Sequence, residues 1–296
     1  MSVKQVFRVR GTEGDVGIEI EAEGVNLPRA DRYWNRVHDG SLRGDGLDRA
    51  CEYVLKRPMT SEEAQEALTY LEEQYRENGT VVNDSPRCGV HVHINCQRMS
   101  VLHLYNFMVL YLILEDVLVK WCGPTREGNL FCLRAKDAEY LLYVLSRALE
   151  EKSFRRRFST DEVRYASMNI RSLPTYGSLE FRAMEGTDDM ERIGQWADML
   201  LELREAATQY ANPIEMIMST SEEGPEAFVR HVLSEPMANL IFSHEGWEMM
   251  VREGSRRVQE VAYAGDWDEM ANYPPREVGG VAVRPDWDDD FPEEDV

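Results

Sequence analysis

Three short segments carry ionisable side chains two residues apart, a spacing that puts both side chains on one face of a β-strand. The segments are GIEIEAEG at 17–24 with Glu19 and Glu21, CGVHVHINC at 88–96 with His91 and His93, and GSLEFRAMEG at 177–186 with Glu180 and Arg182. Carboxylates and imidazoles together can hold Mg²⁺, which shares its ligands with substrate phosphates. Arginine stabilises the charge of a transferring phosphoryl group. If the segments are strands of one sheet, we expect a polar basin suited to ATP-dependent activation.

The two cysteines that frame the histidines raise the alternative of a zinc site. In a regular strand, Cys88 and Cys96 have the parity of the valines, so their thiols point away from His91 and His93. The segment also lacks the Cys-x-x-Cys pair and the helical histidine spacing of common structural zinc sites. We therefore expect both cysteines to be buried, and all five cysteines of the chain to be free thiols in a reducing cytoplasm.

Four alternating segments are predicted to be the strands that position these groups. They are Val16–Glu23, Val90–Asn95, Tyr165–Arg171 and Ser178–Met184. The third of them would place four polar side chains on the basin face: Tyr165, Ser167, Asn169 and Arg171. The predicted fold is α+β, an antiparallel sheet of about four to six strands with one face packed on helices and the other forming the active-site basin.

Helices are predicted from apolar periodicity and end signals. They are Leu47–Arg57, Ser61–Glu77 with Ser61 as N-cap, Ser100–Trp121, Lys136–Glu150 and Asp188–Tyr210. Five glutamates on the first two helices are interpreted as solvent-exposed: Glu52, Glu62, Glu63, Glu72 and Glu73. Residues 174–177 are expected to form a turn between the third and fourth strands. The loop after the long helix contains Arg126, a further candidate contact for a phosphate or carboxylate, although an exposed arginine in a turn is the simpler interpretation.

We predict a single catalytic domain over residues 1–264, with the motifs within 16–187 and a helical C-terminal part over 188–264. The acceptor pocket is expected within 212–264. From residue 265 to 296 the chain is predicted to be a loop-rich acidic tail. The tail repeats a Trp-Asp pair in GDWDE and PDWDD, for which coincidence of composition is the favoured interpretation and docking of a partner is the alternative.

The composition restricts the class of protein. The chain has 33 Lys and Arg against 54 Asp and Glu, and its net charge of −21 opposes binding to a nucleic-acid backbone. Neither an apolar run of transmembrane length nor a signal peptide is apparent, which predicts a cytoplasmic protein that does not bind membranes. The sequence also lacks the P-loop, the Rossmann fingerprint and the G-x-S-x-G elbow. A nucleotide would therefore have to bind on the sheet itself.

Three motifs resemble those of the amidoligases, carboxylate–amine ligases whose glutamine-synthetase-like superfamily also contains the γ-glutamylcysteine ligases. The motifs are GIEIEAEG at 17–24, CGVHVHIN at 88–95 and RYASMNIRSLPTYGSLEFRAMEGT at 164–187. Their order and spacing fit the family, and the resemblance covers residues 16–187. It implies that ATP phosphorylates a carboxylate to an acyl phosphate, which an amine then attacks to give an amide, ADP and phosphate.

The resemblance also implies a role for individual residues and a set of ligands. The implied Mg²⁺ ligands are Glu19, Glu21, His91 and Glu180, of which His91 and Glu180 share the ion nearer the transferred phosphate. The implied phosphate contacts are His93 and Arg182. The residues beside the transferred group or the acid substrate are implied to be Asn169 and Arg171, together with Arg182. The cofactors are ATP and Mg²⁺, and the substrates are a carboxylate and an amine, each on a small molecule, a peptide or a protein.

One feature of glutamine synthetases is not found in the sequence. In those enzymes a strand between the first and second motifs carries further metal-binding glutamates, and we predict no such strand here. The second Mg²⁺ is then held either by fewer protein ligands or by a residue that the sequence does not identify. Two other classes stay open. One is a metal-dependent hydrolase in which His91, His93 and the glutamates hold zinc or manganese and activate water. The other is a non-catalytic acidic interaction protein or a degenerate ligase relative.

Overall fold

The computed structural model describes residues 1–271, and within them an open antiparallel sheet of seven strands forms one layer of the fold. The strands are β1 (Val16–Val25), β2 (Trp34–Val37), β3 (Ala50–Leu55), β4 (Val81–Val82), β5 (Gly89–Asn95), β6 (Met168–Asn169) and β7 (Ser178–Glu185). Their order is β2-β3-β1-β5-β7-β6, and β4 pairs with the end of β1. The predicted α+β class and the antiparallel sheet are confirmed, although the sheet has more strands than predicted.

Helices cover one face of the sheet and continue to the end of the described chain. They are α1 (Val3–Phe7), α2 (Ser61–Asn78), α3 (Val101–Cys122), α4 (Glu139–Glu151), α5 (Phe154–Phe158), α6 (Leu173–Tyr176), α7 (Met190–Ala207), α8 (Pro213–Glu222), α9 (Pro225–Val232), α10 (Glu235–Phe242), α11 (Trp247–Arg257), α12 (Gln259–Ala264) and α13 (Trp267–Ala271). Among residues 1–271, only α3 has the length and apolar composition of a membrane-spanning helix. Since 94% of its apolar window is buried within the protein, α3 is the central helix of the core.

Strand β1 shows how the two faces of the sheet arise. Val16, Ile18 and Ile20 are buried in the core, and Glu19 and Glu21 alternate with them. Burial of each apolar side chain contributes roughly 1.5–3 kcal/mol. A shift of β1 by one residue would move the apolar side chains to the polar face and the glutamates into the apolar core, so the core fixes the face on which the glutamates lie.

Strand β3 replaces the helix predicted over Leu47–Arg57. Its residues alternate in burial: Cys51 and Tyr53 are buried, and Glu52 between them is half-buried. This alternation has a period of two, and β3 gains ladder hydrogen bonds from β1 on one side and β2 on the other. The helix prediction was wrong because pairing with β1 and β2 overrides the local helical periodicity.

The strand predicted over Tyr165–Arg171 is mostly not a strand. Only Met168–Asn169 pairs with β7, and the chain then enters a 3₁₀ turn over Ile170–Ser172 and helix α6. The Asn169 side chain accepts a hydrogen bond from the backbone N–H of Arg171, which favours the turn over a continued strand. The turn predicted over 174–177 is therefore the end of α6, closed by Gly177 in the left-handed region at φ 71°.

Three helix boundaries differ slightly from the prediction. Helix α2 is capped by the Thr60 hydroxyl, which accepts from the backbone N–H of Glu63, and not by Ser61. Helix α4 begins three residues later than the predicted Lys136, and α7 is shorter at both ends than Asp188–Tyr210.

The first residues of the predicted acidic tail are folded. Helix α13 places Trp267 against Tyr105, and the Trp267 indole N–H donates to the Ala262 carbonyl at 2.7 Å. Trp267 of the first Trp-Asp pair therefore belongs to the core, whereas Asp268 is exposed, and the prediction of a loop from residue 265 was wrong for 267–271. The second Trp-Asp pair and the rest of the predicted tail lie outside the described residues.

Candidate active site

The antiparallel register brings the three predicted motifs together on one face of the sheet. Strand β1 pairs with β5 so that Glu19 lies opposite His91, and β5 pairs with β7 so that His93 lies opposite Glu180. Strand β6 adds Asn169, also opposite Glu180. Since directly paired residues of antiparallel strands share a face, the sheet itself gathers these side chains.

Glu19 lies at the centre of this face and contacts both histidines. Its Oε2 is 3.4 Å from His91 Nδ1, and its Oε1 is 3.4 Å from His93 Nε2. Burial opposes ionisation of Glu19, but attraction to the two imidazoles outweighs burial and holds its pKa below the ordinary value. Burial also opposes the charged form of His93, but Glu19 and Glu180 raise its pKa above the ordinary value. The charge of Glu19 therefore depends on the charges of the two histidines, and the charge of His93 depends on that of Glu19.

Glu180 is held from two sides. The Asn169 amide donates to Glu180 Oε2 at 2.7 Å, and Arg182 Nη1 donates to Oε1. The same Oε1 lies 3.7 Å from His91 Nδ1. Burial raises the pKa of Glu180, but the charges of Arg182 and the two histidines outweigh burial and lower it overall. A fixed, ionised carboxylate at this position can bind a cation.

Glu52 joins the site from β3 and was missed by the sequence interpretation, which took it to be solvent-exposed. It lies directly opposite Glu21, and the two carboxylates form a close group with Asp39 from the loop after β2. Burial, followed by the charges of Glu19, Glu21 and Asp39, raises the pKa of Glu52 to about 8. The Cys51-Glu52-Tyr53 alternation is the signal that could have identified this strand.

Glu21 is more deeply buried than Glu19. Only 7% of its surface is exposed, and its Oε2 accepts the backbone N–H of Gly89 at 2.7 Å. Burial raises the pKa of Glu21, an effect that the nearby His91 opposes.

The ligand atoms of this face suit a hard divalent cation. Three groups have ligand atoms within 4.8 Å of one another: Glu19, Glu52 and His91; Glu19, His93 and Glu180; and Glu21, Asp39 and Glu52. These separations can be bridged by an octahedral Mg²⁺ with ligands at about 2.1 Å after small side-chain movements. His93 Nε2 is buried and faces Glu19 Oε1 at 3.4 Å without a hydrogen bond of good geometry, so it could turn to a ligand. The donor set therefore fits Mg²⁺.

Two arginines that were predicted to be site residues do not lie on the shared face of the sheet. Arg126 is 1% exposed, so its interpretation as an exposed turn arginine was wrong. Its Nη2 donates at 3.1 Å to the Arg182 carbonyl, beside the point where the β5–β7 register shifts between Val90 and Val92. Arg171, expected to share a face with Asn169, lies on the 3₁₀ turn, where it pairs at 2.8 Å with Asp161.

Cys96 lies in the main hydrophobic core as strand parity predicted, whereas Cys88 packs with Leu42 and Ala50 in a separate small cluster, near Glu21 and Glu23. Cys88 and Cys96 are buried free thiols, and burial raises the pKa of each to about 12. A neutral thiol is a poor metal ligand, since the thiolate is the binding form. The three candidate ligand groups in residues 1–271 consist of carboxylates and imidazoles.

Comparison with known proteins gives one family. A family profile described as "Putative amidoligase enzyme" matches residues 47–204, more than half of the chain. The matched range includes β3, β5, β6 and β7 with their site residues, whereas Glu19 and Glu21 precede it. A search of curated proteins gives no match at the significance required.

Proposed function

The chain belongs to the amidoligase family, and from that premise we propose that it is an ATP-dependent carboxylate–amine ligase of the glutamine-synthetase-like fold. The observation that carries the proposal is the shared face of β1, β5 and β7. There, Glu19, His91, His93 and Glu180 offer ligand atoms to a cation, and Arg182 lies against Glu180. Family membership supports a ligase in general, and this face supports the finer assignment to ATP and Mg²⁺.

Two groups of side chains would hold Mg²⁺. In the proposal, one ion would be held by Glu19, His91 and Glu180, whose contacts with His91 are 3.4 and 3.7 Å long. A second ion would be held by Glu21, Glu52 and Asp39. Bound Mg²⁺ would neutralise phosphate charge and orient the phosphates of ATP. Glu52 takes the place of the ligand that the sequence interpretation could not identify.

The remaining polar residues are assigned to the reacting groups. Arg182 and His93 donate to oxygens of the γ-phosphate and stabilise charge as it moves, and Asn169 keeps Glu180 in place through its 2.7 Å hydrogen bond. The Arg126 guanidinium, close behind the Arg182 backbone, adds positive charge to the phosphate side of the basin. Arg171 is paired with Asp161 on the turn that follows Asn169, and its predicted contact with the acid substrate stays a prediction.

The proposed reaction has two steps. An oxygen of the substrate carboxylate attacks the γ-phosphorus of ATP, and ADP leaves with the electron pair of the broken P–O bond. The amine nitrogen then attacks the carbonyl carbon of the acyl phosphate, phosphate leaves, and the proton of the amine passes to solvent or a nearby base. Activation is needed because a free carboxylate has no adequate leaving group.

The test measures ATP consumption by the purified full chain. With Mg²⁺, ADP and phosphate should be released in equal amounts only when a suitable acid and amine are both present, as screened with panels of amino acids, small acids and polyamines. Glu180→Gln should lower the rate about 100-fold or more because it removes a metal ligand and the partner of Arg182. Glu73→Gln, on the exposed face of α2, is the matched control and should leave the rate unchanged.

Two results would contradict the ligase. Product release from an amide substrate with Zn²⁺ or Mn²⁺ and without ATP would establish a hydrolase instead. Failure of the wild-type chain to bind MgATP in calorimetry would support a non-catalytic role.

A further inference from the structure

The central helix α3 carries two adjacent acidic residues inside a mostly apolar sequence. Glu115 is fully buried, and only 4% of the surface of Asp116 is exposed. A buried carboxylate is costly unless hydrogen bonds and opposite charges compensate for the loss of water. The proposed reaction uses neither residue, so their partners show what the helix holds in place.

Glu115 accepts hydrogen bonds from two segments that are distant in sequence. The Ser167 hydroxyl, just before β6, donates to Glu115 Oε1, and the Ala135 backbone N–H, in the segment before α4, donates to Oε2 at 2.8 Å. The Tyr111 hydroxyl donates to Ser167 Oγ at 3.1 Å from the same helix. One side chain of α3 therefore sets the position of both segments relative to the core.

These two segments hold Arg182 at its backbone and at its guanidinium. The Arg182 backbone N–H donates to the Ser167 carbonyl at 2.8 Å, and Arg182 Nε donates to the Phe131 carbonyl at 3.3 Å. The segments are also tied to each other, since the Ser167 N–H donates to the Leu133 carbonyl at 2.8 Å. A movement of either segment would change the direction of the Arg182 side chain.

Asp116 reinforces the same arrangement from the next position on the helix. It lies 3.4 Å from Arg134 and 3.2 Å from Lys136, the two residues that flank Ala135. Arg257 at the end of α11 pairs with Asp116 at 2.6 Å and lies 3.6 Å from Glu115. The acidic pair is therefore compensated, and its contacts converge on residues 134–136.

We propose that Glu115 is a positioning residue of the ligase, which orients Arg182 through Ser167 and the segment that follows Phe131. The inference rests on the proposed function, in which Arg182 contacts the transferred phosphate. Glu115 touches no substrate in this scheme. Its effect on the reaction is transmitted by backbone hydrogen bonds over two short segments.

Two variants at Glu115 distinguish the loss of its hydrogen bonds from the loss of its negative charge alone. Glu115→Ala removes both acceptor oxygens. Glu115→Gln is the conservative variant, because its amide oxygen can accept from the Ala135 N–H while its NH₂ group donates to Ser167 Oγ. Asn106→Ala is the matched control: Asn106 is a fully buried residue of the same helix whose amide donates to the Ala207 and Tyr210 carbonyls, away from Arg182.

The experiment combines hydrogen exchange with kinetics on the full chain. In Glu115→Ala, the backbone amides of Ala135, Ser167 and Arg182 should exchange at least about 10-fold faster than in the wild type, because their hydrogen-bonded segments open more often. The kcat with MgATP should fall about 10- to 100-fold with a smaller change in KM for the acid substrate. Glu115→Gln should restore both properties to within about threefold. Asn106→Ala should lower the thermal midpoint yet leave both properties unchanged.

Either of two results would overturn the inference. One is exchange at Ser167 and Arg182 that is no faster in Glu115→Ala than in Asn106→Ala. The other is an equal loss of kcat in those two variants, which would show a general effect of destabilising α3. If the wild-type chain consumes no ATP with any acid–amine pair, the proposed function fails, and the exchange rates still decide whether Glu115 holds Arg182.

Discussion

At the scale of the residue, Glu52 shows how neighbours decide what a carboxylate can do. It lies among Glu19, Glu21 and Asp39, whose charges add to burial in raising its pKa. A cation bound between these carboxylates would replace repulsion by attraction. Glu72, on the exposed face of α2, has the same side chain and is exposed to solvent.

This difference predicts unequal effects of the same substitution at Glu52 and Glu72. Glu52→Gln should lower Mg²⁺ affinity about 10- to 100-fold, the range found when a group that supports a metal is lost. Glu72→Gln should leave the affinity unchanged. Isothermal titration of the full chain with Mg²⁺ measures both constants, and equal constants for the two variants would exclude Glu52 from the cation site.

The face on which a side chain lies could be predicted where polar and apolar residues alternate along both paired strands. His91 and His93 could be placed on the Glu19 face because Val90 and Val92, which alternate with them, must be buried. Arg126 could not be placed in this way, because its burial depends on the fold of a loop against Gly89 and the Arg182 carbonyl. Such a contact joins parts of the chain that no local pattern relates.

At the scale of the element, the buried helix α3 carries a carboxyl group, that of Glu115, whose pKa is shifted toward neutral pH. Burial raises the pKa of Glu115 to about 7, although hydrogen bonds from Ser167 and Ala135 oppose the shift. The folded protein therefore binds the Glu115 proton more tightly than the unfolded chain does. The stability that this proton contributes is complete below pH 4.5, the ordinary pKa, and is lost as the pH rises through about 7.

The raised pKa gives a prediction for the pH dependence of unfolding. Glu115→Gln cannot lose a proton, so its free energy of unfolding relative to the wild type should increase by about 3 kcal/mol between pH 4.5 and pH 8. Urea unfolding of both proteins across this pH range measures the difference. A constant difference at all pH values would show that Glu115 does not titrate there.

The sheet could be predicted where strands are long and alternate, and could not where they depend on neighbours. Strand β1 was predicted because eight residues, Val16–Glu23, alternate, whereas β3, predicted as a helix, is a strand because it pairs with β1 and β2. Strand β6 has only two residues, and its continuation as a strand is stopped by the Asn169 side chain at the next turn. Pairing, rather than local composition, makes these short strands.

At the scale of the whole molecule, the net charge of −21 and the carboxylates of the basin both oppose folding through electrostatic repulsion. Like charges disfavour the compact state, and the folded sheet concentrates four glutamates on one face: Glu19, Glu21, Glu52 and Glu180. A divalent cation bound there should stabilise the native state, because the unfolded chain does not assemble the group.

Mg²⁺ is therefore predicted to raise the thermal midpoint of the full chain. At a concentration 100-fold above its dissociation constant, one bound ion should add about 2.7 kcal/mol and raise the midpoint by about 5 °C. Removal of the ion with a chelator should reverse the shift. NaCl at equal ionic strength is the control, and an equal rise with NaCl would attribute the effect to screening alone.

The register shift between β5 and β7 makes the number of residues in β7 part of the site. Val90 pairs with Met184 and Val92 with Phe181, so that two residues of β7, Arg182 and Ala183, face one residue of β5. A regular strand would put Glu180 and Glu185, five positions apart, on opposite faces. With the extra residue, Glu180 pairs with His93 and Glu185 with Gly89, so both lie on the same face. Deleting Arg182 or Ala183 would restore an uninterrupted ladder without turning either half of the strand over. We therefore expect a spacing of five residues between Glu180 and Glu185 to occur together with this bulge.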